Sequence, residues 1–112
     1  VYGETGDAGQ SIAMDTGGLV AVTGTANGLI DFTGTGIFAS GKGYFVNVMT
    51  TSMVSSWYNR STSPVNHGFG GAFDSASHLL VTGGFQGTVN FGGIGVTGPI
   101  GLQYGFVVQY FK

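Results

Sequence analysis

The sequence predicts an all-β chain made of two tandem copies of one antiparallel unit, and three observations predict it. The segment from Gly9 to Gly36 aligns with the segment from Gly68 to Gly95 at a constant offset of 59 residues. Short apolar stretches alternate with Gly, Asp and Asn, which is the pattern of strands joined by tight turns. Apolar residues never recur at a sustained helical spacing, and 23 glycines in 112 residues disfavour helix throughout.

The offset pairs Asp15 with Asp74, Val22 with Val81, Thr23 with Thr82, Gly24 with Gly83, Gly28 with Gly87 and Phe32 with Phe91. Ten identities fall within residues 9–37. Because they include Asp, Phe, Val and Thr in fixed order, a merely Gly-rich composition does not account for them. Further on, Phe45-Val46 matches Phe106-Val107 at an offset of 61, so the second copy has gained two loop residues. The copies divide the chain into residues 1–58, with a leading outer strand at 1–4, and residues 59–112, which lack a last strand.

Each element follows in order. Strands are expected at residues 10–14, 19–23, 44–50 and 54–58 in the first copy, and at 69–73, 79–82 and 105–111 in the second. Asp15-Thr16-Gly17-Gly18 makes a tight hairpin, its carboxylate accepting backbone N–H bonds and its glycine supplying positive φ. The second copy has Asp74-Ser75-Ala76-Ser77 there, with both glycines gone, so a different turn is expected. Ile30-Asp31-Phe32 and Val89-Asn90-Phe91 are expected as short anchors, with each Phe plugging the core.

Several motifs together carry a resemblance. These are Asp15-x-x-Gly18, Val22-Thr23-Gly24 with Val81-Thr82-Gly83, and Gly28-x-Ile30-Asp31-Phe32-x-Gly34 with Gly87-x-Val89-Asn90-Phe91-x-Gly93. Then come Phe45-Val46 with Phe106-Val107, and the strand around Trp57. In this order they resemble the bacterial β-propeller repeat family. The resemblance spans about residues 9–57 and 68–111, and departs at the second turn and at residues 39–43. It implies two four-stranded antiparallel blades in a secreted or cell-surface protein, and it implies architecture rather than chemistry.

Propellers have typically four to eight blades, so two cannot close a ring alone. The blades are therefore expected to be completed by oligomerisation or strand exchange. Val1, Tyr2, Gly3 and Glu4 would add as a strand to the open edge of a neighbour's second blade, meeting the strand of Val107, Gln109 and Phe111. A fragment of a longer propeller is the competing reading, since the chain opens on Val1 without a signal peptide.

Composition narrows function. Lys42, Arg60 and Lys112 are the only basic residues and the net charge is −2, so neither nucleic acid nor a polybasic membrane contact is expected. No apolar run reaches the ~18 residues of a membrane-spanning helix. With no Cys, disulfides and thiolate sites are excluded. Gly36-x-x-x-x-Gly41-Lys42 mimics a phosphate loop, but Gly43 replaces the Ser or Thr that would hold magnesium. Gly93-x-Gly95-x-x-Gly98 has dinucleotide spacing, yet Pro99 follows at once. His67 and His78 lack metal-ligand spacing, and Ser75, His67 and Asp74 lack a nucleophile elbow. Asp15 and Asp74 are turn residues, and Asp31 becomes Asn90 in the other copy, so paired acid–base carboxylates are not supplied. Asn59-Arg60-Ser61 is a glycosylation sequon. No enzyme, cofactor or metal is expected. The expected role is a self-assembling extracellular structural subunit whose partners are its own copies. The alternative is a carbohydrate-binding propeller lectin that stacks sugars on Trp57 and Tyr58.

Overall fold

The computed structural model describes residues 2–3, 8–28, 30–31, 38–39, 43–52, 54–60, 66–91, 93–99 and 101–111. All assigned elements are strands: β1 Tyr2–Gly3, β2 Ala8–Met14, β3 Leu19–Ala26, β4 Ile30–Asp31, β5 Phe38–Ala39, β6 Gly43–Thr50, β7 Ser55–Arg60, β8 Asn66–Phe73, β9 Leu79–Phe85, β10 Thr88–Asn90, β11 Gly95–Thr97 and β12 Tyr104–Tyr110. The first large sheet has the order β2-β3-β6-β7 and the second β8-β9-β12, with every pairing antiparallel.

The sequence repeat is a repeat of register. Thr23 pairs with Val46 in the first sheet, and Thr82 pairs with Val107 in the second. These are the offsets of 59 and 61 found along the chain. A bulge lies between Gly9 and Ser11 in β2, and another between Gly68 and Gly70 in β8. The expected anchors at Ile30 and Val89 prove to be first strands of small hairpins, β4–β5 and β10–β11, inserted at the same point of each copy. Phe91 is buried as expected, whereas Phe32 lies outside the described residues.

One face of each large sheet is buried against the other, because side chains alternate along a strand with period two. From the first sheet come Ala21, Tyr44, Val46 and Val48, and from the second Leu79, Val81 and Phe85, with Val89 and Phe91 of the inserted hairpin. Phe106 and Val108 pack against this core from β12, whose side chains alternate between half-buried and exposed along its length. The Tyr44 ring, fully buried, lies 5.7 Å from Phe91 and 5.4 Å from Phe106. Its hydroxyl is hydrogen-bonded to that of Tyr110, and burial raises the pKa of both phenols, so the pair stays protonated and neutral.

The two Asp turns are alike, contrary to the expectation drawn from the lost glycines. Asp15 Oδ1 accepts from Leu19 N at 2.7 Å, and Asp74 Oδ1 accepts from His78 N at 2.9 Å. Gly18 has φ 87° in the first turn, and Ser77 takes φ 62° at the matching position of the second. The carboxylate bonds hold a left-handed residue that a glycine would adopt without steric cost.

The leading strand also departs from expectation. Tyr2 pairs with Asp31 and Gly3 with Ile30, so β1 joins the small sheet β1-β4-β5 of its own chain rather than standing as an outer strand. Val1 and Glu4 lie outside the described residues.

Candidate functional site

Two places gather the residues singled out by the sequence. The first is a cleft of about 280 Å³ at one end of the joint between the large sheets. Trp57 of β7 faces the second sheet here, its ring centroid 4.9 Å from that of Tyr110. Leu19, Val48, Phe73 and Phe111 complete apolar walls, and Ser56 and Ser77 add hydroxyls. The Ser56 hydroxyl donates to the Val48 carbonyl at 3.0 Å. Tyr58 is not part of this cleft. It neighbours Trp57 along β7 and so points to the opposite face of the sheet, where it pairs in register with Asn47. The two aromatic residues expected as one stacking platform are therefore separated by the sheet. Tyr110, which the sequence reading did not weigh, takes the place beside Trp57. The signal was the alternation of Tyr104, Phe106, Val108 and Tyr110 along β12.

Asp74 and His78 border this cleft at the β8–β9 turn. The His78 ring nitrogen Nδ1 lies 3.1 Å from Asp74 Oδ2, and Gln109 Nε2 donates to the same oxygen at 3.1 Å. Phe111 meets the His78 ring edge-on at 4.8 Å. The His78 backbone N–H, then the Ala76 N–H and the His78 side chain, hold the Asp74 carboxyl below its usual range against the opposing effect of desolvation. A carboxyl lowered in the folded state stabilises fully above its unfolded pKa of about 3.9, and this is lost as pH falls through the lower folded value. Thermal melts of wild type and Asp74→Asn from pH 6 to pH 2 should therefore converge below about pH 4. A gap that stays constant across that range would show that the charge contributes nothing.

The second place is the outside of the two large sheets. On the first, Ile12 and Met14 of β2 are 69% and 67% exposed. On the second, Val107 of β12 is 73% exposed beside a shallow depression of about 210 Å³ lined by Gly70, Ala72, Leu80, Thr82 and Val107. Among the described residues, no strand pairs with the far edge of β12. Val107 and Gln109 face outward from it, and Phe111 follows its last residue. The expected assembly residues thus fall in two regions: Tyr2 and Gly3 on the small sheet, and Val107, Gln109 and Phe111 on or beside the second sheet's open strand.

Among the described residues, no group of three or more His, Asp or Glu side chains comes together as a metal site would require. The side chain of His67 lies outside the described residues. Comparison with protein-family models, curated proteins and solved structures finds no match.

Proposed function

We propose that this chain is a self-assembling structural subunit of the cell exterior, two propeller-type blades that join their copies head-to-tail. The supporting observation is the set of apolar side chains left exposed on the outside of the sheets at β2 and β12. Each large sheet buries one face against the other, yet outward-facing Ile12, Met14 and Val107 leave large apolar side chains in water. Apolar surface of this kind marks an interaction site, and beside it runs the edge of β12, with which no strand pairs among the described residues. Strand addition by residues 1–4 of a neighbour is one route to the joint, and it requires β1 to leave its two pairs with β4. The extracellular setting rests on the low charge and the resemblance to propeller repeats.

Light scattering on a sizing column, with negative-stain imaging of the same peak, tests this reading. A discrete multiple of 11.4 kDa is expected for a closed ring, and a polydisperse mass with visible fibres for an open assembly. A monomer at every concentration overturns it.

The cleft beside Trp57 favours a second reading, in which the blades bind carbohydrate between them. An aromatic wall with nearby hydroxyls suits the apolar face and polar rim of a sugar ring. Glycan-array binding that disappears in Trp57→Ala supports this reading, and silence across a broad array removes it.

A further inference from the structure

We infer that the cleft beside Trp57 binds a quaternary ammonium group, the trimethylated cation of choline-type molecules. Such binding goes beyond the assembly proposed above and does not depend on it.

The cleft is walled by aromatic rings from both large sheets. Trp57 comes from β7, Phe73 ends β8, Tyr110 ends β12 and Phe111 follows it. The Trp57 and Tyr110 rings are tilted by 58° with centroids 4.9 Å apart, so they make a corner rather than a flat stack. This corner is set by the fold itself. Trp57 stands in register opposite Val48, and the Tyr110 hydroxyl is hydrogen-bonded to that of buried Tyr44. The face of an aromatic ring is the negative end of its quadrupole and attracts a cation placed over it, more strongly where water is displaced.

A negative charge stands at the rim. Asp74 sits in the turn between Phe73 and Ser77, both of which line the cleft. Bonds from the His78 and Ala76 backbone N–H groups hold its carboxyl below the usual range, so it is ionised at neutral pH. A carboxylate beside aromatic walls favours a cation over a neutral molecule of the same shape.

The walls offer little hydrogen bonding. The hydroxyls of the described lining residues are those of Ser56, Ser77 and Tyr110. Ser56 already donates to the Val48 carbonyl at 3.0 Å, and Tyr110 is engaged with Tyr44. A sugar ring presents a hydroxyl at nearly every carbon, and each one buried without a partner costs free energy. A quaternary ammonium has no N–H, and its charge is spread over methyl groups that make apolar contacts. It suits Leu19, Val48 and Leu79 as well as the rings. The volume of about 280 Å³ lies just under the ~300–1,000 Å³ of clefts that hold drug-sized ligands, which fits a compact headgroup.

Trp57 is the sole tryptophan of the chain, so its fluorescence reports on this cleft alone. Titration with choline chloride should give a saturable change in emission that equal sodium chloride does not. The neutral isostere of choline, with a tert-butyl group in place of the trimethylammonium, should bind on the order of 10-fold more weakly. Phe111→Leu keeps apolar bulk at an exposed position and removes a π face, while Asp74→Asn removes the charge. Each should weaken choline binding several-fold in protein whose thermal melt shows it folded at the titration temperature. Phosphatidylcholine vesicles separate the two sources of this group. Co-sedimentation that free choline competes away assigns a lipid headgroup, and choline binding without co-sedimentation assigns a free small molecule. Equal affinity for choline and its isostere, or no saturable change with choline, overturns the cation site. Saturation by glucose or galactose but not choline returns the cleft to sugar binding. Light scattering on the same samples keeps the outcome apart from assembly. A monomer that binds choline leaves the cation site standing, and an assembly that ignores choline removes that site alone.

Discussion

Tyr44→Ala should lower folding stability by about 3–5 kcal/mol, the range for truncating a large buried aromatic side chain. Small domains are stable by only about 5–15 kcal/mol, so most of the margin is at risk. The ring is fully buried and central to the joint, lying against Phe91 of the inserted hairpin and Phe106 of β12. Truncation opens a cavity between two sheets whose strands are pinned by their own ladders, and such a site collapses poorly. The hydroxyl has a separate role. It meets the Tyr110 hydroxyl and lies 3.5 Å from Asn59 Oδ1. Tyr44→Phe keeps the ring and removes only this contact, so its expected cost is about 1–2 kcal/mol, reflecting a polar group left without its partner. Urea denaturation of the three proteins separates the effects. A loss under about 1.5 kcal/mol for Tyr44→Ala would mean that the two sheets are held together elsewhere.

Much of this architecture was legible because the repeat makes its own comparison. The Val-Thr-Gly and Asp-turn motifs marked β3 and β9, and the Phe-Val pairs marked β6 and β12 within one residue of their starts. The β3 and β9 strands run three residues beyond the expected ends, through Thr25-Ala26 and Gly84-Phe85, where Gly and Ala dilute the strand signal. The strands β5 and β11 were missed because two- and three-residue stretches are too short to show alternation. The second Asp turn was misjudged for a different reason. Loss of the glycines does not change the turn, because the carboxylate bonds to residue i+4 are common to both copies and Ser77 accommodates the left-handed backbone. The candidate site was less legible. Trp57 stood out by its chemistry, but its partner Tyr110 lies 53 residues away and reaches it only through the packing of the two sheets. Tyr58 adjoins Trp57 in sequence, and in a strand adjacency means opposite faces.

The glycine of the first Val-Thr-Gly motif yields the second large effect. A Cβ on Gly24 would overlap the Ala8 carbonyl oxygen and lie 2.9 Å from the Ala8 carbonyl carbon and 2.9 Å from Phe45 Cε1. The first two are backbone atoms and cannot turn aside as a flexible side chain would. Gly24 pairs with Gly9 next to the bulge, where β2 is already displaced by one residue, so Gly24→Ala must push β2 away from β3. The expected cost is at or above the upper end of the ~1–3 kcal/mol typical of overpacking. In a domain of this size the midpoint of thermal unfolding should fall by on the order of 10 °C or more. Gly17→Ala is the matched control, because a Cβ there meets only the Asp15 carboxylate at 3.5 Å, an ordinary contact on an exposed turn. Near-equal melting of the two variants would show that β2 yields without loss. A large gap would identify this glycine as the point where a side chain is excluded so that the edge strand can close on the sheet.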